Sequence, residues 1–245
     1  MKASPGRIEI VFTPGELGES SVKGKAIVVV DVLRSATTIA RALASGAELV
    51  IPLASMEDVT RLASTLERKL VVLCGERDGA RIEGYHLGNS PAEYTAKAVK
   101  GKTLLLTTSN GTQAVEACEG AREIVLAALV NLKTVIQHLA AGDDWLVVCS
   151  GDRGRFALED ALCAGALVAG LREKRPDLAV NDAGKSAEFL YRSAGEDLPR
   201  IVAGTETGLR LQGLGFEEDV AFVSRIDAVP VLPVVKDGRI AKPAK

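Results

Sequence analysis

The chain has 245 residues, 47% of them hydrophobic and 25% charged, with a formal net charge of −2. That length suits one large domain or two small ones, and the composition excludes a disordered chain and a strongly basic nucleic-acid footprint. No apolar run approaches the ~18–20 residues of a membrane span. The start, "MKASPGRIEIVFTPG", lacks the apolar region of a secretory signal, and four cysteines without CxxC spacing fit reduced thiols in a cytoplasm.

Along the chain, "RIEIVF" (7–12) alternates apolar and polar residues and reads as an edge strand. "AIVVV" (26–30) is continuously apolar, as a strand covered on both faces should be, and it runs straight into Asp31. "LRSATT" follows, then helical sequence, a Gly-Ala turn, a short strand and a second helix. The stretch from Gly101 repeats this order: "GKTLLLTTSNGTQAVEACEGAREIVLA" answers "GKAIVVVDVLRSATTIARALASGAELVIP", and "LVVCSGDRG" answers "LVVLCGERDG" at an offset of about 75 residues. Residues 24–100 and 101–172 therefore read as two similar α/β halves. The expected architecture is a single α/β domain over 1–245, three-layer α/β/α, with a largely parallel or mixed sheet. "RFALEDALCAGALVAGLREK" (155–174) is apolar nearly all round and reads as a buried helix; 182–195 reads as a more polar one. In the C-terminal region 173–245, "DVAFVSRIDAVPVLPVV" (219–235) contains a late strand and "KDGRIAKPAK" (236–245) reads as a frayed tail. The Gly-rich 204–220 is either a loop over the pocket or a set of tight turns.

Ligands of open α/β sheets bind beyond the carboxyl ends of the strands. Four segments leave such ends here: 31–38, 75–91, 107–112 and 150–160. Together they pool Asp31, Glu76, Asp152, Glu159 and Asp160 with Arg34, Arg77 and Arg153, several hydroxyls and glycines. A hard divalent cation takes one or two carboxylates plus water and phosphate oxygens, while arginines, hydroxyls and helix N-termini bind phosphate. With two His and no Cys/His cluster, zinc is the poorer fit.

Each residue also has a plainer reading. Asp31 could cap a helix, and Glu159 and Asp160 could favour a first turn, although an unpaired carboxylate on a buried helix is costly. Glu76 and Asp152 could pair with nearby arginines, and Asn110-Gly111 could be only a turn. His138 reads as a helix residue, His86 as either a site or a scaffold residue, and Cys74 and Cys149 as small buried side chains. "AVNDAGKS" (179–186) matches a relaxed P-loop but follows no clear strand. "DVLRSAT" lacks the second Asp, two positions on, of haloacid-dehalogenase-type phosphatases.

Over nearly the whole chain, "VVVDVLRSATTI", "GERDGARIEGYHLGNSPAE", "TTSNGT" and "SGDRGRFALEDALCAGAL" together resemble, in order, the blocks of the 2-phosphosulfolactate phosphatases. The resemblance implies an α/β/α, Mg²⁺-dependent phosphatase releasing phosphate from 2-phospho-3-sulfolactate, a reaction of the coenzyme M route. It departs at Ser35, where the family usually has Ala, and at His86, where it usually has an acid; both bear on substrate identity. On this reading Asp31, Glu159 and Asp160 are catalytic, and Asp31, Glu76, Asp152, Glu159 and Asp160 are the metal candidates. Arg34, Ser35, Thr37, Thr38, Arg77, His86, Asn89, Ser109, Asn110, Gly111, Thr112 and Arg153 would bind the substrate, three arginines matching three anionic groups. Asp31 as a metal ligand or as a nucleophile both stay open. So do a phosphatase for another small phospho-hydroxy acid and a non-catalytic phosphate or sulfonate sensor. The expected partner is a small anionic phosphorylated substrate, without nucleic acid or membrane, in a possible homodimer.

Overall fold

The computed structural model describes residues 6–18, 22–142 and 144–243. In chain order the elements are β1 (Arg7–Val11), β2 (Ala26–Val30), α1 (Ser35–Ala44), β3 (Leu49–Pro52), α2 (Met56–Ala63), β4 (Val71–Arg77) and β5 (Ala80–Arg81). Next come α3 (Ala96–Val99), β6 (Thr103–Thr107), α4 (Gly111–Glu116), β7 (Glu123–Ala127), α5 (Leu132–Leu139), β8 (Asp144–Cys149), α6 (Leu158–Lys174) and β9 (Ala179–Val180). The chain ends with α7 (Asp182–Ala194), α8 (Leu198–Ala203), α9 (Glu206–Gly213), α10 (Glu217–Val223), β10 (Val234–Lys236) and β11 (Arg239–Ala241). Among the described residues no helix is long and apolar enough to cross a membrane.

All strands join one mixed sheet in the order β5-β4-β6-β3-β11-β10-β7-β2-β8-β1-β9. Two parallel trios, β4-β6-β3 and β7-β2-β8, make up most of it. The central strand of each trio comes from the opposite repeat, so the two sequence halves interlock. The β10–β11 hairpin lies between the trios, antiparallel to β7 on one side and to β3 on the other, which makes the trios run in opposite senses. The repeats also share backbone: Gly24 and Gly101, Gly46 and Gly120, and Gly79 and Gly154 all have positive φ.

The apolar strands divide by residue parity because successive side chains point to opposite faces. Ala26, Val28 and Val30 pack with α5 and α6 residues such as Val135 and Leu167, whereas Ile27 and Val29 pack with α1 residues such as Ile39 and Leu43. Both faces are thus covered, giving the three layers expected. Helix α6 is buried because α7 lies directly on it: a Cβ at Gly165 would meet the Ala187 carbonyl at 2.0 Å.

Three expectations change. Strand β1 is one in from the edge, between β8 and β9, and the Asn181 amide continues the pairing by accepting from Ile10 N and donating to Ile10 O. Residues 217–223, expected in part as strand, form α10, whose first turn carries Glu217, Glu218 and Asp219. The late strand begins only at Val234, after Pro230 and Pro233, whose nitrogens cannot join a ladder. The tail is not frayed as far as Ala241: Asp237 and Gly238, at φ 51° and 69°, turn the chain into β11, and Ile240 pairs with Val50. Ala244 and Lys245, the end of the expected frayed tail, lie outside the described residues.

Ile240 is fully buried, so Ile240→Ala should cost about 2–5 kcal/mol in urea denaturation. Substitution of exposed Lys242 should leave the midpoint unchanged; an equally silent Ile240→Ala would return the tail to a frayed end.

Candidate active site

The ends of β2, β4, β6 and β8 meet at one cleft. Asp31 follows β2, and its Oδ1 accepts from Ser35 N (2.9 Å), the first free N–H of α1, while the residue lines the cleft. The start of α4 packs against it. A Cβ at Gly111 would lie 2.4 Å from Asp31 Oδ2 and 2.5 Å from Ser35 Cβ, so only glycine allows this approach. Ser35 Oγ donates to Thr108 Oγ1 (3.2 Å), joining the β2 and β6 ends.

Glu76 comes from β4 and holds two loops: Oε1 accepts from Ser109 N (2.8 Å), and Oε2 from Gly79 N (2.7 Å) and Ser109 Oγ (3.2 Å). Asn110 Oδ1 accepts from Arg153 N, and its amide donates to Asp152 Oδ1, tying the β6 end to the β8 end. Behind the cleft, Asp160 on α6 accepts from Val32 N (2.9 Å), Gly151 N (3.0 Å) and Ser150 Oγ (3.0 Å).

Helices α9 and α10 close the cleft from the side. Arg210 forks onto Asp152 through Nη1 (2.8 Å) and Nη2 (3.1 Å). Arg34 pairs with Asp219 at 2.8 Å with both side chains almost fully buried, donates to Gly79 O, and lies 4.4 Å from the centre of the Phe216 ring. Ser90 Oγ donates to the other Asp219 oxygen. The half-exposed Arg153 pairs with Asp78. The open volume left is about 30 Å³, room for a few waters.

Burial raises the Asp31 carboxyl from 3.8 to about 6, with the Glu76 charge adding to the rise against the Ser35 and Ser150 hydrogen bonds. Burial likewise lifts Glu159, and lifts Asp160 well above the carboxylate range with Asp31 and Glu159 adding to it. Burial also lifts the thiols of Cys74 and Cys149, as expected of small inert core residues.

Of the residues expected in the site, Asp31, Arg34, Ser35, Glu76, Asn89, Ser109, Asn110, Asp152 and Arg153 line the cleft. Glu159 and Asp160 lie behind it, Asp160 as a loop anchor and Glu159 against Thr205 and Thr207 of the cap. Thr37 and Thr38 are fully buried and donate to Val32 O and Asn89 O, which turns them away from a phosphate. Thr112 exchanges bonds with Thr108, and Arg77 donates to Glu76 O and Thr107 Oγ1. His86 Nδ1 accepts from Leu73 N, outside the cleft. Gly111 serves by its lack of a side chain, and α4, at six residues, is too short to offer much of a dipole.

Sequence reasoning missed Leu33, Asp78, Gly79, Thr207, Arg210 and Leu211 on the cleft wall and Asp219 beneath it. Asp78 and Gly79 lie in a flagged segment. Arg210 and Asp219 lie in or beside the Gly-rich stretch, where nothing local marks which side chain turns inward.

Among the described residues no three His, Cys, Asp or Glu side chains form a metal-binding group. Two carboxylates share the cleft without a basic partner of their own, Asp31 and Glu76, since Asp152 is taken by Arg210. That donor set fits a hard cation that draws its other ligands from water and phosphate.

The family model described as 2-phosphosulpholactate phosphatase matches residues 11–238. A probable 2-phosphosulfolactate phosphatase of Thermotoga maritima is 39% identical, covering 94% of this chain and 96% of its own. Relatives with the same description from Caldanaerobacter subterraneus and Clostridium acetobutylicum are 35% and 32% identical, over 92% and 96% of this chain and 94% and 99% of theirs.

Removing one member of the buried Arg34–Asp219 pair strands the other charge, so Asp219→Ala should lose about 3–5 kcal/mol in urea denaturation. Asp78→Asn, at the exposed pair, should lose about 0–1 kcal/mol. A pH test follows from Asp31. Its raised carboxyl pKa means the folded state binds the proton more tightly, so this group's contribution falls as pH rises from about 4 to 6. With EDTA present, Asp31→Asn should therefore stabilise the protein at pH 7.5, by up to ~3 kcal/mol, and have little effect at pH 4; destabilisation at pH 7.5 would contradict the burial cost.

Proposed function

Because the chain belongs to the 2-phosphosulfolactate phosphatase family, we propose that it hydrolyses 2-phospho-3-sulfolactate to 3-sulfolactate and phosphate. It is a phosphoric monoester hydrolase: a water oxygen bonds to phosphorus, the ester P–O bond breaks, and the departing oxygen takes a proton to become the 2-hydroxyl of the product. The observation that carries the reading is the buried pair Asp31 and Glu76 on one cleft, whose mutual repulsion contributes to the raised Asp31 pKa.

Asp31 and Glu76 would hold Mg²⁺, which when bound neutralises charge on the phosphoryl oxygens. Asp31 is proposed as a ligand rather than a nucleophile, with its Oδ1 held by Ser35 N–H. Arg153 spends one Nη2 bond on Asp78, and its half-exposed guanidinium keeps donors for a phosphate. Asn89 Oδ1 is buried on the cleft wall without a partner. As an acceptor it can take a hydrogen of the attacking water, which orients the oxygen lone pair towards phosphorus. Asp160 keeps the loops in register and stays out of the chemistry.

We further propose a cytoplasmic enzyme, supported by four free, buried cysteines, acting in a coenzyme M-type route; a homodimer remains part of this proposal.

The test is phosphate release from racemic 2-phospho-3-sulfolactate with Mg²⁺, then with EDTA. Release should require the metal, and Asp31→Asn should lower kcat about 10³-fold, or ~4 kcal/mol. Binding without release by the wild type would indicate a sensor instead. Metal-independent release would remove the cation from the proposal.

A further inference from the structure

Among the described residues three buried side-chain polar atoms have no hydrogen-bond partner: Tyr85 Oη, Asn89 Oδ1 and Arg210 Nε. Two of the three belong to residues lining the cleft. Buried polar groups are nearly always paired, so an orphaned donor and an orphaned acceptor lining one cleft point to a ligand that completes both. The acceptor serves the water of the reaction. The donor is unexplained by it.

We propose that Arg210 determines substrate specificity by donating its Nε–H to an oxygen of the anion that is not transferred, the carboxylate or the sulfonate. The inference rests on the phosphatase reading above and extends it to a residue of the cap. Asp152 takes both terminal nitrogens of Arg210, at 2.8 and 3.1 Å, and Asn110 also donates to Asp152. This fork fixes the guanidinium plane and leaves Nε–H as its one uncommitted nitrogen. The pair is neutral overall, so it offers a directed donor rather than a bare charge. That suits recognition better than stabilisation of a transferring phosphoryl group.

The helix presenting Arg210 is itself held firmly. Thr205 Oγ1 accepts from Gly208 N (3.0 Å), and Gln212 donates to Ala203 O (2.7 Å) and Gly208 O (3.1 Å). Leu211, next to Arg210, is buried against Gly79, where a Cβ would come within 3.2 Å of it. Asp31, Glu76 and Asn89 come from the strand-end loops, whereas Arg210 comes from α9. The phosphoryl group and the second anion are therefore gripped by different parts of the fold.

The experiment compares wild type, Arg210→Lys and Arg210→Gln on three esters, with Mg²⁺. These are 2-phospho-3-sulfolactate, 2-phospholactate, which lacks the sulfonate, and 2-(phosphooxy)ethanesulfonate, which lacks the carboxylate. Both variants should raise KM for the first ester roughly 10- to 100-fold with kcat changed less than about threefold. The increase should vanish on whichever truncated ester lacks the anion Arg210 holds, and that identifies the anion. An equal loss on all three esters, or a fall in kcat at constant KM, overturns the proposal. Asp152→Asn, which keeps the guanidinium, and thermal melting of every variant separate loss of recognition from loss of fold. Calorimetric titration of 3-sulfolactate, lactate and isethionate needs no turnover. If the wild type hydrolyses none of the esters but product binding still depends on Arg210, the phosphatase reading falls and this one stands. If product binding is the same in Arg210→Gln, this one falls.

Discussion

A carboxylate on the first turn of α6 fixes the rest of the site. Asp160 accepts from the backbone of both the loop after β2 and the loop after β8, and from the Ser150 hydroxyl. Burying it is costly, as its raised pKa shows, and three hydrogen bonds offset that cost only in this arrangement. The neighbouring loop can then hold Asp31 at the cleft. Helix α4 completes the wall by an approach that any side chain at Gly111 would block.

The cap rests on the same principle of paired burial. Arg34 stands at the start of α1, yet its charge faces Asp219 of α10 and its guanidinium plane lies over Phe216. Arg210 of α9 in turn faces Asp152 after β8. Two crossed pairs therefore link the sheet ends to the last helices. A buried pair is weak as a source of net stability but strong as a specifier of position, because a wrongly seated cap leaves four charges uncompensated.

Topology explains why loops far apart in sequence share the cleft. Each parallel trio takes its central strand from the other repeat, so β2 stands between β7 and β8 while β6 stands between β3 and β4. The final hairpin fills the seam between trios running in opposite senses. The last strand is thus an interior element, and the short Asp-Gly turn before it is what places it there.

Much of this was legible in the residues themselves. Continuous apolar runs such as "AIVVV" marked strands covered on both faces, and glycines at matching places in the two repeats marked turns whose positive φ the backbone uses. Asp31, Glu76 and Asp152 announced themselves as polar residues at or just beyond the ends of apolar strands, a pattern with a local cause. Other features had none. Thr37 and Thr38 look like phosphate ligands in sequence, but helix α1 turns their hydroxyls onto carbonyls. Arg77 and Arg210 are equally basic, and only the fold sends one to Thr107 and the other to Asp152. Sequence alone determined most of the element types and the polar residues at the strand ends, because these follow from periodicity and residue type within a short window. Which arginine faces the cleft, which carboxylate lies behind it and which strand fills the seam were decided by tertiary structure, since each depends on a partner brought from a distant part of the chain.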